Sequence, residues 1–99
     1  MKARHGIYAA AISPFHADGR LDAGKLISYC EYLLGDGGCD GVAPTGTTGE
    51  GTSIAMADRL ALPGAFAKAD IAPERVIFGT GAPASGDCIA LTRAACDAG

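Results

Sequence analysis

Ninety-nine residues, 48% of them apolar, suffice for one small domain around a single core and rule out a disordered tail. Eight Lys and Arg against eleven Asp and Glu leave a net charge of −3, and the basic residues are scattered, so nucleic acid has no electrostatic foothold. No apolar run approaches the roughly 18 residues of a membrane span, and the stretch after Lys2 and Arg4 is too short for a secretory signal, so a soluble cytoplasmic chain is expected.

The run Ile7 to Ile12, stopped by Ser13-Pro14, reads as a strand over about residues 6 to 12, buried on both faces as in a parallel sheet. Asp18-Gly19 makes a turn. Asp22 can then cap a helix whose apolar positions Leu26, Ile27, Cys30, Leu33 and Leu34 fall at helical spacing, closed by Gly35, Gly37 and Gly38. Gly41 to Pro44 is a short second strand within residues 40 to 44, followed at once by a Gly-rich segment, Thr45 to Gly51. Ile54 to Lys68 reads as a second helix with Asp58 and Arg59 on one side, and Pro63 should kink or split it. Arg75 to Gly79 is β-branched and aromatic and lies before a Gly79-Thr80-Gly81 turn, which predicts a third strand. Ser85 or Asp87 then opens a third helix with Cys88, Ile89, Leu91, Thr92, Ala95 and Cys96 on its apolar face. Strands alternating with helices imply a parallel sheet with right-handed crossovers, and Val42 and Val76 hold comparable places one unit apart. Periodicity leaves a barrel and a doubly wound sheet equally open.

Cys30, Cys39, Cys88 and Cys96 match neither a CxxC pair nor a zinc framework, and are expected as plain buried or half-buried thiols. His5 and His16 lack a ligand at i+3 or i+4, so neither a metal nor another cofactor is expected. The chemistry concentrates in Gly46-Thr47-Thr48-Gly49-Glu50, directly after the second strand, where parallel strands present their loops to ligands. Its glycines let a backbone approach a ligand closely, and two adjacent hydroxyls with exposed N–H groups suit a carboxylate or phosphate. Gly-Thr loops also occur simply as turns, and the loop alone does not decide between the two.

Three motifs together go further. Ser13-Pro14-Phe15 with Asp18-Gly19 after the first strand, Gly46 to Glu50 after the second and Gly79-Thr80-Gly81 after the third resemble the dihydrodipicolinate synthase and N-acetylneuraminate lyase family over essentially the whole chain. The resemblance implies a partial (β/α)₈ TIM barrel, the first three βα units, with residues 1–99 as one incomplete domain. It implies pyruvate or a similar α-keto acid as ligand, bound in the family as a Schiff base on a lysine. Thr48, with Gly46 and Gly49, would hold the keto-acid carboxylate, and Thr47 would stand in a proton relay between two tyrosines. Glu50 is expected to be structural, its carboxylate accepting backbone N–H bonds.

The chain also departs from that pattern. A whole barrel takes about 250 residues, and the family's catalytic lysine and one relay tyrosine lie in later strands and loops. Lys2, Lys25 and Lys68 are not at a strand's C-terminal end, and Tyr8, Tyr29 and Tyr32 read as core or surface residues. Ser13 replaces a usual Thr, Pro83 a usual polar residue, Ala55 a usual capping Ser or Thr, and Pro63 interrupts a helix that runs straight in the family. The expectation is a truncated Schiff-base lyase, inactive alone and forming homo-oligomers because three strands cannot close a barrel. A self-associating structural or interaction protein built from barrel units is the alternative. A plain anion-binding module is a third reading, weakened by the absence of a Walker or GxGxxG pattern.

Overall fold

The computed structural model describes residues 5–99. Two short strands, β1 (Tyr8–Ala10) and β2 (Gly41–Ala43), pair in parallel with Ala9 opposite Val42, and helix α1 (Ala23–Leu34) forms the crossover between them. Helices α2 (Met56–Lys68) and α3 (Ser85–Asp97) complete three successive βα units. Among the described residues no helix is long and apolar enough to cross a membrane.

Local chemistry accounts for α1 closely. Asp22 caps it by accepting the Lys25 N–H at 3.1 Å, Leu26 and Cys30 are buried one turn apart, and Gly35 ends it. In α2 the N-cap is Ala55, which offers no side-chain bond, as its sequence position implies. The expected split at Pro63 does not occur, since one helix runs through it. Proline leaves the Arg59 carbonyl without its helical donor, but its ring is buried beside Leu62 and Phe66, and that burial offsets the loss.

The third strand is reduced from the expected 75–79. Arg75 belongs to a 3₁₀ turn, Pro73–Arg75, and only Val76 bridges β2, in parallel with Val42. The ladder nevertheless continues, with the Ile77 N–H on the Val42 carbonyl and the Gly79 N–H on the Pro44 carbonyl, both at 2.9 Å. Residues 76–79 therefore run as a third parallel segment beside β2.

Ala11, Val42 and Val76 pack with Leu26, Cys30, Leu62 and Phe66, and Ala9, opposite Val42, lies on the same face as Ala11; Phe78 meets Phe66 edge-on at 5.1 Å. On the opposite face lie Ala10, Ile12 and Ile77, with Ile12 58% and Ile77 47% exposed. The first strand is thus covered on one face only, contrary to the two-sided burial its apolar run suggested. Helix α3 differs similarly. Its cap is Ala84 rather than Ser85 or Asp87, and of its apolar positions only Leu91 is buried, because α2 is its main neighbour. Of the thiols, Cys30 is buried, Cys39 and Cys88 are half-buried, and Cys96 is exposed.

Candidate functional site

The loop after β2 is shaped by backbone that most side chains resist. Thr45 sits at φ 59° and Glu50 at φ 54°, both left-handed, and for a β-branched threonine this is strained. Thr45 is buried, and its single hydroxyl proton can go to the Pro44 carbonyl at 2.7 Å or the Gly79 carbonyl at 3.0 Å. Gly49 is pressed between the first two units. A Cβ there would lie 2.8 Å from the Ala11 carbonyl oxygen and 2.9 Å from the Thr45 nitrogen. Its own carbonyl accepts the Ser13 hydroxyl at 2.5 Å, so serine supplies the hydroxyl at this position.

Inside the loop, the Glu50 N–H bonds the Thr47 carbonyl at 3.1 Å and the Gly51 N–H bonds the Gly46 carbonyl at 3.0 Å. Thr47 and Thr48 are exposed, and neither their N–H groups nor their hydroxyls find an acceptor among the described residues. Two adjacent residues thereby present four free donors, the arrangement that suits an anion. Glu50 is exposed and its side chain makes no capping bond, so the expected acceptance of backbone N–H groups is not found. Its structural role lies in the left-handed backbone that leads into the 3₁₀ turn Gly51–Ser53.

Gly46 and Thr47 line a cavity of about 250 Å³ with Thr45, Gly51, Thr52, Gly79 and Gly81, while Thr48 and Gly49 lie outside its lining. The loop after β2 and the Gly79-Thr80-Gly81 turn therefore share a wall. Lys25 and Lys68 are exposed on helices α1 and α2, and Lys2 lies outside the described residues. Tyr8 donates its hydroxyl proton to the Glu74 carbonyl at 2.5 Å, Tyr29 packs against the core and Tyr32 is exposed.

Two residues at the site have no counterpart among the sequence candidates. Thr45 is one, since no local pattern announces a left-handed threonine. Arg59 is the other: it is only 4% exposed and donates to the Gly79 carbonyl at 3.0 Å and the Gly81 carbonyl at 2.9 Å. Asp58 and Arg59 therefore do not share a side. Asp58 faces Arg20 at 2.5 Å, and the hydrogen bond and charge of that guanidinium hold its carboxyl below the ordinary range. The signal for Arg59 was its spacing, i to i+3 and i+7 from the buried Leu62 and Phe66.

Parallel strands joined through helices, with a donor-rich loop at the C-terminal end of a strand, have the form of the opening units of a (β/α)₈ barrel. The chain belongs to the dihydrodipicolinate synthetase family, whose model matches residues 3–99. It is similar to an uncharacterized DapA-like lyase of Chloroflexus aurantiacus, 43% identical over 95 residues, which are 95% of this chain and 31% of the relative. Dihydrodipicolinate synthase from Agrobacterium tumefaciens superposes with a TM-score of 0.84 at 36% identity, over 95% of this chain and 32% of that one. A prophage protein of the dihydrodipicolinic acid synthase family from E. coli K12, solved in complex with pyruvate, superposes with a TM-score of 0.79 at 30% identity, over 95% of this chain and 31% of that one. The chain spans about a third of the length of these relatives.

Proposed function

We propose that these residues form the keto-acid carboxylate loop of a soluble, cytoplasmic Schiff-base lyase, with pyruvate or a similar α-keto acid as ligand. The observation that carries this reading is the set of four unpaired donors on Thr47 and Thr48 at the end of β2. The pyruvate complex of the prophage relative supports the choice of ligand. Thr48 binds the carboxylate through its hydroxyl and N–H, with Gly46 and Gly49 permitting the close backbone approach, and Thr47 serves as a proton-relay hydroxyl. Condensation needs an unprotonated amine, and an ordinary lysine has a pKa near 10.4. Lys25 and Lys68 stand exposed on helices α1 and α2 and neither lines the cavity of the loop, so no lysine of the described residues is placed to condense with a ligand held there.

Titration with pyruvate, followed through backbone amide resonances, tests the loop. Saturable shifts are expected at residues 46 to 50, lost in Thr48→Val. Shifts that are absent, or equal in Thr48→Val, would reject it.

Self-association is a second reading, and Ile12 and Ile77 favour it. Both stand open on the sheet face away from the helices, and β1 pairs with no strand but β2 among the described residues, so a second copy can cover the face.

A further inference from the structure

We infer that Arg59 is a positioning residue, which sets the shape of the Thr45 to Gly51 loop by holding the Gly79-Thr80-Gly81 turn against it. The inference rests on the carboxylate-loop reading and assigns that loop its support.

The guanidinium is buried, yet no carboxylate lies within ion-pair distance of it among the described residues, and its Nε–H finds no acceptor there. Its two hydrogen bonds go to the carbonyls of Gly79 and Gly81, both in the wall of the cavity that Gly46 and Thr47 also line. A buried cation is costly to keep for packing alone, so its aim is informative. The Gly79 carbonyl is also within reach of the Thr45 hydroxyl, so Arg59 and Thr45 converge on one oxygen. Gly79 is packed so closely on Thr45 that a Cβ would lie 2.3 Å from the Thr45 carbonyl oxygen, and a Cβ on Gly51 would lie 3.4 Å from Arg59 Nη2. Thr45 holds its left-handed backbone in the middle of this contact. Strain of that kind persists only where the surroundings over-determine it, and Arg59 supplies a bond from the helix side. The arginine thus acts on the ligand donors through Gly79 and Thr45, without touching the ligand.

Arg75 provides an internal control. It too spends its donors on carbonyls, those of Asp40, Leu34 and Cys39, at the other end of the sheet. The whole chain and its Arg59→Met, Arg59→Lys and Arg75→Met variants are compared by amide hydrogen exchange and by pyruvate titration. The diagnostic amides are Gly51 and Gly79, bonded to the Gly46 and Pro44 carbonyls. Arg59→Met should speed exchange at both and weaken pyruvate binding by about tenfold, since sub-ångström misplacement of donors is costly. Arg59→Lys, which can keep one carbonyl, should fall between. Arg75→Met should leave both readouts near those of the unsubstituted chain even where it lowers the melting point. Equal effects from Arg59→Met and Arg75→Met would reduce Arg59 to general packing and overturn the inference. If Arg59→Met does not fold, the same comparison of Arg59→Lys with Arg75→Met decides. If the unsubstituted chain binds no pyruvate, the carboxylate reading fails, while exchange at Gly51 and Gly79 still decides whether Arg59 shapes the loop.

Discussion

Replacing Gly79 by alanine probes the approach of the two strand-end loops directly. The new Cβ would lie 2.3 Å from the Thr45 carbonyl oxygen, 2.6 Å from the Thr45 carbonyl carbon and 2.8 Å from the Gly46 nitrogen. Ordinary contacts for a Cβ begin at 3.4 Å, so the overlap is about 1 Å, and all three atoms are backbone. No rotamer change can relieve it. Overpacking of this kind costs about 1–3 kcal/mol, and because two backbones must part, the upper half of that range applies. For a domain of this size each kcal/mol moves the melting point by about 4–8 °C, so a fall of about 8–24 °C is expected. Gly64 in α2 gives the opposite sign. Nothing lies within 4 Å of its Cβ position, and alanine in a helix interior is favoured over glycine by about 0.8–1 kcal/mol. Thermal and urea unfolding followed by far-ultraviolet circular dichroism, on both variants in parallel, measures the pair. A Gly79→Ala protein that melts with the unsubstituted chain would show that the loops do not meet as described.

Three further outcomes follow from individual contacts. Arg20 depresses the Asp58 pKa, so that carboxylate contributes stability above its unfolded value of about 3.9 and the contribution is lost as pH falls through the folded value; Asp58→Asn should flatten the acid limb of a stability profile, and an unchanged limb would count against the pair. Burial, with a smaller effect from the Glu31 charge, pushes the Cys30 thiol up to about 11 from 9.0, so a thiol reagent near neutral pH should label exposed Cys96 quickly and Cys30 only on unfolding, and stability should fall as pH rises between those two values. Sedimentation at micromolar concentration should show an oligomer that Ile12→Glu with Ile77→Glu reduces to monomer; a well-folded unsubstituted monomer would remove the case for a covered sheet face.

The sequence was most informative where one local rule acts alone. Asp22 followed by apolar residues at helical spacing specified α1, and the like placement of Val42 and Val76 anticipated their parallel bridge. Gly49 and Ser13 carried the loop's packing in residues recognisable by type. Where the reading failed, the cause was tertiary. Apolar composition could not tell that Ile12 and Ile77 face away from the helices, nor that the segment at 76–79 reduces to a single bridge at Val76. Pro63 has a helix-breaking propensity that burial of its ring overrides. Charge grouped Arg59 with Asp58 on one side of the helix, whereas its i+3 and i+7 neighbours put it on the inner face, and nothing short of the fold places Gly79 beside it.

Incubation with pyruvate and borohydride, followed by intact-mass and peptide analysis, tests most directly whether this chain holds the keto-acid end of a site without its nucleophile. No lysine of the described residues lines the loop's cavity, so the mass should remain that of the unmodified chain, with at most faint labelling spread over Lys2, Lys25 and Lys68. Stoichiometric trapping on one of those three lysines would contradict the assignment and place a working nucleophile within these 99 residues.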